Sequence, residues 1–112
     1  MRIAIPVADG ALCQHFGHCT HFALFDVDEE RRTVTSRTDL PAPRHEPGAF
    51  PTWLGEQGAT IVIAGGMGGQ ARNMLAGRGI DVVVGVEAGD PVVAVDAYLA
   101  GALSTSANFC EK

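Results

Sequence analysis

The clearest regularity in the chain is a series of short apolar runs separated by polar or glycine-rich turns. Four of these runs predict buried strands: Arg2–Val7, His21–Val27, Thr60–Ala64 and Ile80–Val84. In the second run, Phe22 and Leu24 alternate with Ala23 and Phe25, so both faces of the strand are apolar. A strand with two apolar faces is typical of a sheet that is covered on both sides.

The remaining segments predict one further strand and three helices. Arg32–Thr38 is polar and β-branched, which favours a strand at the edge of the sheet. After the proline-rich loop Leu40–Gly48, apolar residues recur at helical spacing. The expected inward residues are Phe50, Trp53 and Leu54 in the first helix, Ala71, Met74 and Leu75 in the second, and Val92, Val95 and Leu99 in the third, which runs from Asp90-Pro91 to Gly101.

The order of elements is therefore β-β-β-α-β-α-β-α. Its second half is a βαβ unit, which requires parallel strands joined by a right-handed crossover. We predict an α/β fold with one mixed five-stranded sheet, helices against it, and an antiparallel strand near one edge. We expect residues 1–112 to form a single domain, the usual outcome at this length.

Composition narrows the classes of protein. The net charge of −5 argues against a general nucleic-acid-binding or anionic-membrane surface. No signal peptide or membrane span is apparent, so the sequence predicts a cytoplasmic protein. In that compartment we expect the three cysteines to be reduced.

The segment from Cys13 to His21 concentrates metal-ligand chemistry. It contains three histidines and two cysteines within nine residues (CQHFGHCTH). Imidazole and thiolate bind soft and borderline metals, although each residue alone could equally be ordinary loop or filler. The spacing of Cys13 and Cys19 is too wide for the usual paired ligands of a structural zinc site.

A second segment, Ala64–Ala71 (AGGMGGQA), places four glycines at a turn from a strand into a helix. Glycine serves there either to reach φ above zero or to let backbone N–H groups approach a ligand. With the helix N-terminus, such a turn attracts anions, and two glycines would suffice for a plain connection. Gly66, Gly68 and Ala71 also fit a dinucleotide motif with Glu87 downstream, but this match is weak because no second domain follows.

With these residues considered, the chain resembles the nitrogenase iron–molybdenum cofactor biosynthesis family, the small cofactor-carrier type, over nearly its whole length. The similar blocks are MRIAIPVADG, QHFGHCTHFALFDVD, HEPGAFPTWLGEQGATIVIAGGMGGQA, RGIDVVVGVE, YLAGAL and NFC. The stretches PGAFPTWL and AGGMG are closer to the Orange protein branch of the family. The family's histidine near the C-terminus is missing, because this chain ends Cys110-Glu111-Lys112.

The resemblance implies a ribonuclease H-like, three-layer α/β/α fold and a non-catalytic function. That function is binding, and then carrying or storing, an anionic molybdenum-containing metal–sulfur cluster. The cluster would be like the iron–molybdenum cofactor, with iron and sulfide, or a molybdenum–copper sulfide. A cluster donor or acceptor protein would be the partner. The alternatives are a nucleotide-binding enzyme that uses Gly66 and Gly68, and a metal-free interaction module.

The resemblance maps the histidine of the family's HFG motif onto His15 and the family's glycine-rich turn onto Gly65–Gly69. Backbone N–H groups of that turn and the Arg72 side chain would hold the cluster's anionic sulfides. Phe16, Met67 and Phe50 would form an apolar wall. The predicted cluster-binding residues are thus His15, Phe16, Gly17, His18, Gly65, Gly66, Met67, Gly68, Gly69 and Arg72, with His15 as the metal ligand.

Overall fold

The computed structural model describes residues 1–44, 46, 48–87 and 89–103. The predicted tail Cys110-Glu111-Lys112 lies outside these residues. Within these residues, six strands and three α-helices follow one another. The strands are β1 (Arg2–Ala8), β2 (Ala11–Leu12), β3 (His21–Asp28), β4 (Thr33–Pro41), β5 (Ile61–Ile63) and β6 (Asp81–Val83), and the helices are α1 (Ala49–Glu56), α2 (Gly69–Gly77) and α3 (Pro91–Leu99).

The main sheet has the strand order β4-β3-β1-β5-β6. β1, β5 and β6 are parallel, whereas β3 runs antiparallel to both of its neighbours, β1 and β4. The predicted mixed sheet with an antiparallel strand near one edge is therefore confirmed, as is the edge position of the polar strand. This order and these directions are those of the ribonuclease H-like fold.

The structure adds one strand to the five that were predicted. β2 has only two residues and pairs with the end of β1, where Val7 lies opposite Leu12 and Ala8 opposite Ala11. Two residues are too few to show an alternating pattern, so the sequence gives no sign of this strand. The tight turn before it uses left-handed backbone at Asp9 and Gly10.

Two apolar cores cover the two faces of the sheet. On one face, side chains of β1 and β3 such as Ile5 and Phe25 pack with Val95 of α3. On the other face, Phe22 and Leu24 pack with residues of α1 and α2. β3 is thus apolar on both faces, as predicted, and the fold has three layers.

The prediction for α3 was wrong at one position. Val92 is 39% exposed, whereas Pro91, Ala94, Val95 and Leu99 are buried. Asp90 caps the helix, and its carboxylate accepts a hydrogen bond from the Val92 backbone N–H at 2.9 Å. The buried stripe starts at the next residue, Pro91. In the part of the chain that is described, no helix is long and apolar enough to cross a membrane.

Candidate functional site

The histidine- and cysteine-rich loop is fixed to the end of β1 on both sides. The Cys13 backbone N–H donates to the Pro6 carbonyl at 2.8 Å, and that of Thr20 donates to the Val7 carbonyl at 2.9 Å. Between them, Phe16–His18 form a single 3₁₀ turn. Both ends of the loop are anchored on neighbouring residues of one strand, so its conformation is defined before any ligand binds.

The same loop is bonded to the first half of the glycine-rich turn. The Phe16 N–H donates to the Gly66 carbonyl at 2.9 Å, and His15 and Gly66 pair as neighbouring parallel strands do. A Cβ at Gly65 would lie 2.8 Å from the Gln14 Cα, which is too close for a side chain. Gly65 and Gly66 therefore hold the histidine- and cysteine-rich loop against the glycine-rich turn, which is a structural role.

The two histidines of the 3₁₀ turn lie side by side. The ring centroids of His15 and His18 are 5.5 Å apart with the planes tilted by 52°, and both residues are exposed. The His18 N–H donates to the His15 carbonyl at 2.9 Å, which fixes the backbone between them. The structure thus brings together the two predicted histidines.

The cysteines have a different environment. Cys13 is buried, and its thiol donates a hydrogen bond to the His15 carbonyl at 3.1 Å, which stabilises the backbone of the loop. Burial, and to a smaller extent the nearby Cys13, raises the pKa of the Cys19 thiol to about 12. Cys19 is therefore a protonated thiol at neutral pH and a poor metal ligand in the free protein. Among the described residues, no group of three or more His, Cys, Asp or Glu side chains could hold a metal ion.

A cavity of about 270 Å³ opens beside this loop, between α1 and α2. Its apolar wall is continuous with the core, because Phe16 and Phe50 pack edge to face at 5.5 Å and both pack on Phe22. The lining residues come from the 3₁₀ turn, the two helices and the segments before them: Phe16, Gly17, Glu46, Gly48, Phe50, Pro51, Met67, Gly68, Gln70, Ala71 and Met74.

Two helix N-termini converge on the cavity. Gly48 precedes α1 and Gly68 precedes α2, and both glycines line the cavity. Neither helix has a side-chain cap or an acidic residue in its first turn, in contrast to α3 with Asp90. The first N–H groups of a helix lack intrahelical partners and carry partial positive charge. The cavity is thus suited to an anion, although the chain is acidic overall.

The two helices differ in the hydrogen-bond donors that they offer. In α1, the Ala49 N–H donates to the Glu46 carbonyl at 2.9 Å, and Pro51 has no N–H. In α2, intrahelical bonding starts with the Arg72 N–H, which donates to the Gly68 carbonyl at 3.1 Å. The N–H groups of Gly69, Gln70 and Ala71 precede that bond, so α2 is the main source of donors.

Gly68 differs from Gly65 in its surroundings. Its φ is −67° and ψ is 155°, which any residue adopts, and a Cβ would meet no atom within 4 Å. Of the two reasons considered for the glycines of this turn, the need for φ above zero does not apply, because none of Gly65, Gly66, Gly68 and Gly69 has positive φ. Gly68 is the N-cap of α2, a position where glycine is common, and nothing else in the described chain requires a glycine there.

Of the ten predicted site residues, Phe16, Gly17, Met67 and Gly68 line the cavity, whereas His15, His18, Gly65, Gly66, Gly69 and Arg72 do not. Gly69 and Arg72 line a second hollow, of about 410 Å³, together with Asp81 of β6. Arg72 follows Gly68 by one helical turn, and it lines the β6 side of α2 instead of the cavity. Its side chain is therefore not part of the cavity wall. Arg44 carries a charge close to the cavity-lining Glu46, with 3.7 Å between the Arg44 Nε and the Glu46 carboxylate, and both are exposed.

Sequence reasoning missed the contribution of α1 to the electrostatics of the site. The signal was present: Gly48 stands where Ser, Thr, Asp or Asn would cap a helix, and Pro51 lies in the first turn. Gln70 and Met74 were also missed as lining residues. The approach of α1 to α2 depends on the strand order, so a local pattern does not show it.

The fold places the chain among known α/β proteins. The structure of the protein PH0822 superposes with a TM-score of 0.87 and 30% sequence identity, covering 95% of both chains. The apo form of the Orange protein from Desulfovibrio gigas has a TM-score of 0.70 and 27% identity, covering 96% of this chain and 93% of that one. The MJ0327 protein of Methanocaldococcus jannaschii, at 15% identity and a TM-score of 0.75, shares the fold over 96% of each chain. No curated protein sequence matches the chain significantly.

The class of protein is thus a small α/β protein of the type that binds or carries a cofactor. Residues 1–101 match the family described as dinitrogenase iron-molybdenum cofactor, and the chain belongs to this family. The resemblance seen in the sequence is therefore confirmed. Together with the likeness to the Orange protein, the family indicates a cofactor-binding or carrier role.

Proposed function

We propose that the chain binds an anionic molybdenum-containing metal–sulfur cluster in the cavity between α1 and α2, and carries or stores it without catalysing a reaction. The cluster is either like the iron–molybdenum cofactor or a molybdenum–copper sulfide. The observation that carries this proposal is the convergence of two helix N-termini, both without side-chain caps, on one cavity with an apolar wall. The cluster is cargo, received from a donor protein or passed to an acceptor.

The chemistry of the lining residues fits such a cargo. Sulfide on the surface of a cluster accepts hydrogen bonds, and the start of α2 offers the N–H groups of Gln70 and Ala71, two residues that line the cavity. Gly68 adds no side chain between this helix end and the cavity. Phe16, Phe50 and Met67 are buried and exclude water from one side. A cluster already saturated with sulfide needs few protein ligands, which agrees with the lack of a multi-ligand group among the described residues.

We assign the single metal ligand to His15, with His18 as its neighbour in the turn. Imidazole either ligates a metal through a neutral nitrogen or donates an N–H to sulfide. The Cys13 thiol and the His18 N–H both bond to the His15 carbonyl, so the backbone at this position is fixed. The negative charge of Glu46 repels an anion in the cavity, but this side chain is exposed and its charge is screened by water and salt.

The test is reconstitution of the purified chain with tetrathiomolybdate and a copper(I) salt under anaerobic conditions, followed by desalting. We expect retained molybdenum and copper by elemental analysis and a visible absorption band. Protein purified from the native cells provides the second sample, and iron with molybdenum there supports the other cluster type. A colourless, metal-free protein in both samples contradicts the proposal and favours a metal-free interaction module. A nicotinamide released on denaturation favours a nucleotide-binding enzyme.

A further inference from the structure

The two edges of the sheet are unequal. β6 at one edge has three residues, whereas β4 at the other edge has nine and is the longest strand that the structure describes. All residues of β4 are exposed except Leu40, which is half-buried. Proteins usually keep edge strands short or covered, because an open edge pairs with other strands. An edge of this length that no described strand covers is therefore a candidate surface for pairing with another strand.

The hydrogen-bonding register shows which groups of β4 face outward. The Ala42 N–H donates to the Thr20 carbonyl at 2.9 Å, and in the same register Leu40 lies opposite Phe22 and Thr38 opposite Leu24. In an antiparallel pair, hydrogen-bonded positions alternate with positions whose N–H and C=O point away. The backbone groups of the even-numbered residues therefore face β3. Those of Arg37 and Asp39 face outward and are available to a new strand.

We propose that β4 pairs with β4 of a second copy of this chain, antiparallel, about a two-fold axis at Thr38. In this register, Arg37 of each copy lies directly opposite Asp39 of the other. Both positions have outward N–H and C=O groups, so the two pairs form four backbone hydrogen bonds. Opposite charges facing each other across strands stabilise the pair.

The neighbouring registers are less favourable for reasons of charge. With the axis at Arg37, the two arginines lie opposite each other, and with the axis at Asp39, the two aspartates do. With the axis at Ser36, Arg37 and Asp39 both face threonines. Like charges directly opposite are destabilising, so the sequence of this strand selects the axis at Thr38.

The two charged side chains are already held in place within one chain. The Arg37 Nε lies 2.7 Å from an Asp39 carboxylate oxygen, and the guanidinium stacks 5.1 Å from the centre of the Phe25 ring. The hydrogen bond from Arg37 lowers the pKa of Asp39, so the carboxylate is charged at neutral pH. In the dimer, the four charges alternate in sign along and across the two strands. Little side-chain order would be lost on association.

The contact is confined to one strand edge, so we expect a weak and reversible dimer. A stable interface usually buries more than about 1,000 Å². Pro41 has no N–H and limits the pairing at its end of the strand. The two-fold arrangement is isologous and uses the same edge of both copies, so it closes at two and does not grow into fibres.

The experiment is sedimentation of the full chain over a concentration series up to about 1 mM, a range that reaches millimolar dissociation constants. The wild type should approach twice its monomer mass of 11.7 kDa at the high end of the series. Arg37→Asp and Asp39→Arg should each remain monomeric, because each places like charges opposite each other. An equimolar mixture of these two variants should dimerise again, because both aspartates of the Arg37→Asp copy then face arginines of the Asp39→Arg copy.

A cross-link tests the register itself. Thr38→Cys, exposed to oxidised glutathione, should form a disulfide-linked dimer, because the two Thr38 positions face each other at a non-hydrogen-bonded pair with the short Cα separation that a disulfide needs. Ser36→Cys is the matched control and should not cross-link above the level of the parent chain. A wild type that stays monomeric at 1 mM contradicts the proposal and leaves this edge for a strand of another protein. Cross-linking through Ser36→Cys alone contradicts the register.

Discussion

The two halves of the glycine-rich turn after β5 look alike in sequence but differ in their surroundings. At Gly65, a Cβ would lie 2.8 Å from the Gln14 Cα and 3.1 Å from the Val86 carbonyl oxygen. At Gly68, a Cβ would meet nothing within 4 Å, and the backbone conformation suits any residue. Gly65 is explained by its neighbours in the chain, whereas no neighbour in the described chain excludes a side chain at Gly68.

This difference separates a stability role from the proposed binding role within four residues. The first half holds the histidine-containing loop against the sheet through the bond from the Phe16 N–H to the Gly66 carbonyl. The second half opens on the cavity at the start of α2. Substitutions in the first half should therefore change stability, and substitutions in the second half should change cluster uptake. Measuring both quantities for variants of both halves tests the distinction.

The largest effect should come from Gly65→Ala. The added methyl group overlaps backbone atoms that have little freedom to move, and overpacking of this kind costs about 1–3 kcal/mol. Thermal unfolding followed by circular dichroism should show a clear decrease in the melting temperature. Gly68→Ala is the matched control and should change stability much less, because its methyl group meets no atom within 4 Å and the restriction of the unfolded chain opposes the loss of a glycine N-cap. Equal melting temperatures for wild type and Gly65→Ala would contradict the structural role.

The second prediction concerns binding. Gly68→Val should retain the fold but weaken uptake of the tetrathiomolybdate–copper product roughly tenfold, or about 1.4 kcal/mol, because its side chain occupies the space between the cavity and the N–H groups of α2. Gly77→Val, at the other end of the same helix, controls for the cost of valine in α2. If both variants bind as the wild type does, the second half of the turn is only a connection.

The third prediction compares side chains of the loop that the first half holds. His15→Ala should leave the circular-dichroism spectrum intact, since Phe16 keeps its bond to Gly66, yet reduce molybdenum uptake several-fold. Cys19→Ser should change uptake less, because the raised pKa keeps this thiol protonated. Cys13→Ser should also change uptake less, since a hydroxyl still donates to the His15 carbonyl. Normal uptake by His15→Ala, with loss in both serine variants, would show that the site is thiolate-ligated.

The smallest effect concerns pH and touches neither half of the turn. Hydrogen bonds from Arg2 and then Ser36 lower the pKa of Asp26 below its ordinary value of 3.8. The stabilisation is therefore complete above pH 3.8 and is lost as the pH falls through the lower pKa of the folded state. The effect is small because Asp26 and Arg2 are both more than one-third exposed. Asp26→Asn should lower the free energy of unfolding slightly at pH 7 and make no difference at the lowest pH; a constant difference would contradict the assignment.

Much of the fold follows from local pattern. The two apolar faces of β3 predict a covered sheet, and the polar character of β4 predicts an edge strand; both are confirmed. The error at Val92 came from counting the helical stripe from the wrong residue, since the buried stripe starts at Pro91. β2 was missed because it consists of two residues that pair only through a tight turn.

The candidate site was harder to predict, because it depends on packing between distant segments. Phe16, Gly17, Met67 and Gly68 do line one cavity, and their sequence motifs pointed to them. Arg72 was grouped with them by its charge, but its place one turn into α2 puts it in the other hollow. The start of α1 reaches the cavity because β1 lies between β3 and β5 in the sheet, and the sequence does not display that order.

The aromatic wall of the cavity has a practical consequence. Trp53 is the chain's single tryptophan, and its ring lies 5.3 Å from that of Phe22, which packs on the cavity-lining Phe16 and Phe50. Because only the Phe22 ring lies between Trp53 and these two rings, a coloured cargo in the cavity should quench the tryptophan fluorescence by energy transfer. Loading and release could then be timed in a stopped-flow instrument without any attached label. The same signal would show how fast the cargo moves to a second protein.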